Sequence, residues 1–332
     1  MSFHQTPMAP NNKSVETRAA VPVPRENIVR VLETILDGEG NVVVLYGQDG
    51  IGKTTVLEQF VAANVERSFA LFVSGASRWA YDPHDLATDL YTQIEKRINP
   101  KSSLLDEEID ILQLGKAYLR LRRLMDIEGW TTAYFILDGL EDLPPDDEST
   151  RRQLIELLPF GRDPRFRFVL SSRQPGSLPV TENVRREMRE YLLPPFSREE
   201  VRQFFAGASL DSDQIEEIAH VSKGIPGRLV TVRRLLASRE DARQLIQQLP
   251  SEAPELFRLE WISVDRNNRQ EMLALALLAH EHRAYTTFEI ANFLRVEADA
   301  IEKALTGKTF LKCNHDGYWS YITEADRRFA QN

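Results

Sequence analysis

The sequence has a single cysteine, Cys313, in 332 residues. An internal disulfide is therefore excluded, and so is a zinc site built on several thiolates. Long apolar runs are missing as well. Stretches such as Val42 to Tyr46 and Leu273 to Ala279 fall far short of the roughly 20 residues a membrane helix requires. No basic patch followed by an apolar core stands at the amino terminus, so no secretory signal is read there, and the expectation is a cytoplasmic protein without a membrane partner. Histidine is scarce and scattered: His4, His84, His220, His280, His282 and His315. His280 and His282 are two apart and so lie on different faces of a helix; no metal role is expected of any of the six. Positive charge is in deficit, with 41 Lys and Arg against 50 Asp and Glu. That balance opposes an electropositive surface overall and leaves local basic patches to be examined region by region.

What is present is an ordinary globular composition, long enough for two or three domains with a core each. Residues 1–22, rich in Pro, Asn, Ser and Thr, read as a flexible tail. Helical spacing begins after Pro24, with Ile28, Val31, Leu32 and Ile35 on one stripe, and Gly38 and Gly40 close it. Four apolar runs follow: Asn41 to Tyr46, Phe69 to Ser74, Thr132 to Leu137 and Phe166 to Ser171, with Glu190 to Leu193 as a candidate fifth. Helical stretches separate them near Lys53 to Asn64, His84 to Ile98, 106–127 and Ser149 to Leu158, the third with Ile109, Leu112, Leu119 and Leu124 as its apolar positions. Strands alternating with helices predict an α/β fold, a parallel sheet with helices on both faces, over residues 23–195. Beyond Pro194-Pro195 the pattern is helical only, opening on a capping box of Ser197 with Glu200, which predicts a helical lid over 196–250. Residues 251–332 read as three helices and a hairpin turning at Asp316-Gly317, the pattern of a winged helix.

The chemistry is concentrated in Gly47-Gln48-Asp49-Gly50-Ile51-Gly52-Lys53-Thr54, which matches Gly, four residues, Gly-Lys-Thr. Glycines let successive backbone N–H groups turn inward around a phosphate, and the helix starting at Lys53 offers its positive end. Lys53 neutralises β- and γ-phosphate oxygens, the Thr54 hydroxyl is a magnesium ligand, and Thr55 continues the binding segment. A glycine-rich turn that matches by chance is the competing reading. The apolar strand before it and the helix after it weigh against that. Asp49 would repel phosphate, so its side chain is expected to point outward.

Tyr134-Phe-Ile-Leu-Asp138 is an apolar strand ending in an acid, the arrangement of a Walker B aspartate that holds a magnesium shell. Glu141 and Asp142 follow; they either polarise an attacking water or are solvated loop acids. Arg173, at the end of the Phe166 strand, stands at the edge of the sheet where ligands bind, and either reaches the γ-phosphate or is a surface arginine.

The order of the Gly47 loop, Leu137-Asp138-Gly139-Leu140-Glu141-Asp142, Ser171-Ser172-Arg173 and Gly224-Ile225-Pro226 resembles the STAND class of AAA+-related NTPases, which includes NACHT and NB-ARC proteins. Pro24-Arg25-Glu26 resembles the entry motif of that class, with Pro24 in the glycine position, and Tyr191-Leu-Leu-Pro-Pro-Phe-Ser197 resembles its segment linking sheet to lid. The resemblance implies Arg25 on the adenine side, Arg173 as sensor arginine and Pro226 packed on the base. It also places Thr323 where many members carry a histidine that touches the β-phosphate of bound ADP. The activity implied is an ATP/ADP switch with magnesium and slow hydrolysis, acting through self-association or a separate effector or sensor protein, with antiviral defence the first expectation. The alternative is an origin-recognition-type ATPase that binds DNA through its winged helix. Residues 251–332 carry ten Lys and Arg against thirteen Asp and Glu, and the reading helix Glu297 to Leu305 is acidic, so DNA is not the expected partner.

Overall fold

The computed structural model describes residues 23–38, 40–73, 81–100, 109, 111–143, 147–237, 242–250, 253–281, 284–314, 317–322 and 324–331. The tail expected over 1–22, Asp316 and Thr323 lie outside these residues. The chain runs α1 (Glu26–Asp37), β1 (Val42–Tyr46), α2 (Lys53–Ala63), β2 (Ser68–Phe72), α3 (Pro83–Ile98), α4 (Ile111–Glu128), β3 (Ala133–Asp138), α5 (Glu148–Glu156), β4 (Phe166–Ser172), α6 (Glu182–Glu187) and β5 (Met188–Leu192). A helical region follows: α7 (Arg198–Phe204), α8 (Ser212–Ser222), α9 (Pro226–Ala237), α10 (Ala242–Gln247) and α11 (Ala253–Glu260). The last part holds α12 (Arg269–His280), β6 (Tyr285–Thr286), α13 (Thr287–Leu294), α14 (Ala298–Leu305), β7 (Leu311–Cys313), β8 (Tyr318–Tyr321) and α15 (Glu324–Gln331).

The five long strands form one parallel sheet in the order β2-β3-β4-β1-β5. Alternation along each strand divides its side chains between two faces. Val42, Val44, Phe135 and Leu137 join the core under α3, α4 and α5, while Val43, Leu45, Tyr134 and Ile136 join the core under α1 and α2. Every residue of β3 is buried, as a central parallel strand covered on both sides requires. Phe135 is ringed by Phe69, Phe166, Phe168 and Tyr118 at centroid distances of 5.0 to 5.8 Å, which fixes the strand that ends in Asp138.

Two expected stripes are corrected. On α1, Val31 is 37% exposed, and the buried positions are Ile28, Val29, Leu32 and Leu36. On α4, Leu112 and Leu119 are 66% and 54% exposed, and the buried positions are Leu114, Ala117, Tyr118, Leu121 and Met125. Both sets keep helical spacing. The second, which carries more volume and the Tyr118 ring, is the one that packs on the sheet.

The capping box of Ser197 and Glu200 forms with both of its hydrogen bonds. At the carboxyl end, β6, β8 and β7 make a small antiparallel sheet that packs with α12, α13 and α14 as a winged helix. The strand β6 and the helix α15 are additions to the elements read from the sequence. Trp319 on β8 ties the sheet to α13 through Nε1–H donated to Thr287 Oγ1 at 3.0 Å.

A buried cation helps to join the winged helix to the helical region. Arg234 of α9 donates to both carboxylate oxygens of Asp326 on α15, at 3.1 and 3.0 Å, and to Glu260 Oε2 of α11 at 2.9 Å. Burial pushes the Glu260 carboxyl up to about 7, although Arg234 pulls the other way; Asp326 shares that cation and adds its own repulsion. Between the ordinary value of 4.5 and about 7, the folded chain therefore binds more protons than the unfolded chain. Stability falls as pH rises through that window and is level above it. Glu260→Gln should remove this fall, a difference on the order of 3 kcal/mol between about pH 5 and about pH 8. Urea unfolding of wild type and variant at the two pH values measures it.

Candidate functional site

The site is built where β1 ends. Gly47 N–H donates to the Ser172 carbonyl at 3.1 Å, continuing the β1–β4 ladder by one step. The chain then turns through Gln48 to Gly52, with the Ile51 side chain buried as its anchor and Ile51 N–H donating to the Gln48 carbonyl at 3.3 Å. Gly52 is left-handed, with φ of 96°, and occupies the amino cap of α2 without a side-chain capping bond. The positive end of α2 therefore opens onto the loop, as an anion site requires. Thr55 is half-buried in the first turn of that helix.

Lys53 bends back across the loop, its Nζ donating to the Gly47 carbonyl at 2.6 Å and to that of Gln48 at 3.4 Å. Burial lowers its pKa, while Glu141, Asp49 and Asp138 oppose that shift and Arg173 adds to it. Three acids and an arginine thus surround one ammonium. The Thr54 hydroxyl donates to Asp138 Oδ2 at 2.6 Å, and Asp138 is 5% exposed. Hydroxyl and carboxylate form a pair of hard oxygens, the ligand type magnesium takes alongside nucleotide phosphates. Among the described residues no group of three His, Cys, Asp or Glu could hold a metal by itself.

Strand order explains the convergence. Because β4 lies between β1 and β3, the residue that follows β4 emerges between the loop and Asp138. That residue is Arg173. Its backbone N–H donates to Glu141 Oε1, its Nη1 to the Glu141 carbonyl at 2.9 Å and its Nη2 to Asp142 Oδ1 at 2.8 Å. Ser172 Oγ also donates to Glu141 Oε1, at 3.1 Å. The two acids belong to a 3-10 helical turn, Leu140–Asp142, packed against the end of β4. Neither they nor Arg173 are freely solvated.

Asp49 does not point outward into solvent as expected. It lies across the loop, with Oδ1 accepting from Arg173 Nε and Oδ2 from Arg328 Nη1. Two guanidiniums offset the repulsion that an acid in this loop would otherwise suffer. Arg328 comes from α15, and its Nη2 lies 3.5 Å from the Glu141 carbonyl and 3.9 Å from Asp142 Oδ1. Sequence reasoning missed this residue. The adjacent arginines Arg327-Arg328, in a segment of acidic balance, were the available signal; nothing in the spacing shows which site they reach.

Two residues assigned to the adenine side by resemblance are placed differently from one another. Arg25 is buried at 3% exposure and committed to the segment between sheet and helices. It pairs with Glu200 at 2.8 Å, donates to the carbonyls of Pro194 at 3.0 Å and Pro195 at 3.4 Å, and stacks over Phe196. Pro226, by contrast, comes directly to the loop: its Cγ lies 3.7 Å from the position a Cβ on Gly52 would occupy.

A family model described as NACHT domain matches residues 41–208, half of the chain. The chain is a NACHT-domain P-loop NTPase. No curated protein matches it in sequence. Among solved structures, it is similar to the STAND protein with a tetratricopeptide repeat sensor from Pyrococcus horikoshii, at 16% identity and a TM-score of 0.54. That likeness covers 98% of this chain and 44% of the other, so the NACHT chain spans less than half the length of that protein. It is also similar to the Walker-type ATPase of Pyrococcus abyssi, at 16% identity over 93% of this chain and 96% of that one, with a TM-score of 0.48. A third likeness is to the Orc1 protein of Aeropyrum pernix, at 16% identity over 94% and 96% of the two chains, with a TM-score of 0.42. At these identities the likeness is one of fold.

The NACHT match contains the loop, Asp138, Glu141, Asp142 and Arg173; Arg25, Pro226 and Arg328 lie outside it. The helical region nevertheless meets the loop backbone to backbone. Gly227 N–H donates to the Gly50 carbonyl at 2.7 Å, and a Cβ on Gly227 would stand 2.9 Å from Gly50 Cα. Only glycine permits this approach. Gly227→Ala should push the first turn of α9 off the loop and lower the unfolding free energy by about 1–3 kcal/mol, read as a shift in urea midpoint.

Proposed function

We propose that this NACHT chain is an ATP-operated switch of the STAND type, in which magnesium-ATP binding and slow hydrolysis set the arrangement of sheet, helical region and winged helix. The observation that carries the reading is the convergence of three regions on one phosphate-type loop. Gly227 arrives from the helices, Arg173 from the sheet and Arg328 from the winged-helix end. A ligand in that loop lies beside all three contacts, and any difference in its affinity between two arrangements shifts their populations. The output proposed is self-association or engagement of a separate effector or sensor protein. Antiviral defence, suggested by kinship with the STAND class, is the proposed setting.

In this reading the loop amides of Gly47 to Thr54 and the ammonium of Lys53 hold the phosphates. Thr54 and Asp138 would hold magnesium, which would supply charge neutralisation at the phosphate oxygens. Glu141 orients the attacking water and accepts its proton as the water oxygen bonds to the terminal phosphorus and the bond to the bridging oxygen breaks. Asp142 holds Arg173. Glu141 Oε1 is already engaged by Arg173 N–H and Ser172 Oγ, which suits a slow enzyme. Arg25 shapes the adenine side by fixing the Pro194-Pro195 turn, and Pro226 borders the nucleotide from the helical side. Nucleic acid is a poor partner for the winged helix, because α14 offers Asp299 and Glu302 to solvent beside a single lysine, Lys303.

Lys53→Ala should lower ATP affinity by roughly a hundredfold or more while leaving the far-UV spectrum unchanged. Unchanged affinity by calorimetry would mean that the loop is not the binding site. Asp138→Ala should weaken binding more with magnesium than without it. Glu141→Gln should slow phosphate release, and a rate equal to that of wild type would remove the hydrolase assignment while leaving binding intact.

A further inference from the structure

The second guanidinium on Asp49 has no counterpart in the site residues derived above. Arg328 is not an incidental surface contact, because α15 is anchored on its other side. Asp326, two residues earlier and 1% exposed, is forked onto Arg234. Arg327 Nη1 and Gln331 Nε2 both donate to the Ala279 carbonyl, at 2.8 and 2.7 Å. Phe329 packs on Phe257 and Trp261 at centroid distances of 5.5 and 5.7 Å. Residues two apart on a helix project to nearly opposite sides. With Asp326 held inward, Arg328 is directed at the loop.

There it meets a single anion from one side while Arg173 meets it from the other. Arg173 takes Asp49 Oδ1 and Arg328 takes Oδ2. Two arginines that converge on two oxygens of one carboxylate have the arrangement in which they would grip two oxygens of a phosphoryl group. The carboxylate is part of the phosphate loop itself, one residue before Gly50.

We propose that Arg328 is a nucleotide-reading residue of the NACHT site, held by Asp49 and passed to the terminal phosphate when a nucleoside triphosphate binds. The inference rests on the switch reading above. Asp49 is the internal stand-in for that phosphate. A triphosphate brings more negative charge into the same few ångströms, repels the Asp49 carboxylate and draws both guanidiniums toward itself. A diphosphate lacks the terminal group and leaves Arg328 with Asp49. The winged helix thus distinguishes the two nucleotides through α15, although it lies outside the residues that the NACHT model matches.

The test is a pair of variants and their combination, titrated by calorimetry with ATP and with ADP in magnesium buffer. Arg328→Gln should weaken ATP roughly tenfold and leave ADP nearly unchanged, and Arg328→Lys should recover part of the loss. In an Asp49→Asn background the loss from Arg328→Gln should be larger, since no carboxylate then competes for that arginine. A measurement on a folded chain that retains Arg328 stands beside it. In Asp49→Asn without nucleotide, the amides of α15 should exchange with solvent several-fold faster than in wild type, and magnesium-ATP, not magnesium-ADP, should restore their protection. Equal losses of ATP and ADP, additive effects of the two substitutions, or unchanged exchange in α15 would overturn the role of Arg328 while leaving the switch reading in place. Failure of wild type to bind ATP would overturn both.

Discussion

The arrangement depends on one constraint: β4 is hydrogen-bonded between β1 and β3. Parallel pairing on both of its edges places the ends of three strands side by side, and each end carries a different chemical group. The end of β1 becomes the loop, the end of β3 is Asp138, and the residue after β4 is Arg173. Alternating burial on both faces keeps the register, because a slip of one residue would turn Val42, Val44, Phe135 and Leu137 from one core into the other. The geometry of the site follows from sheet register.

A second layer of construction connects that sheet edge to the rest of the chain. Gly227 meets Gly50 through backbone atoms alone, so the helical region cannot follow the loop by bending a side chain; it must move as a body or lose the contact. The winged helix is tied to the helical region by the buried Arg234 with Glu260 and Asp326. Such a buried trio contributes little net stability relative to apolar packing, but breaking one partner leaves an uncompensated charge. It therefore favours concerted movement of α9, α11 and α15 over separation.

How much of this was legible in the sequence depended on the range of the interaction. Four of the five long strands were visible as continuous apolar runs, because parallel strands covered on two faces need no polar alternation. The loop was visible because phosphate binding demands glycines and a lysine at fixed spacing. The capping box at Ser197 was visible because its partners are three residues apart. What could not be read was pairing between distant segments. Nothing in Phe166 to Ser172 says that it lies between β1 and β3. The choice between two stripes on α4 was equally hidden, since Leu112 and Leu119 keep the same period as the buried set. Arg328 was the furthest from view: it is 279 positions from Asp49, in an additional helix, and its aim is set by what anchors Asp326.

An acid inside a phosphate loop is a liability for affinity unless nearby cations neutralise it. Around Lys53 the structure supplies them. Asp49, Asp138, Glu141 and Asp142 face Lys53, Arg173 and Arg328, so acids outnumber cations by one at the site itself. Each arginine held by a carboxylate is also an arginine withheld from phosphate. In the proposed switch, binding affinity is thereby reduced, and in exchange the occupancy of the loop is coupled to contacts made by parts of the chain far away in sequence. A loop with a neutral residue at position 49 would bind phosphate more tightly and would have no carboxylate through which to hold α15. The weaker binder is the one in which a change at the loop has a mechanical consequence.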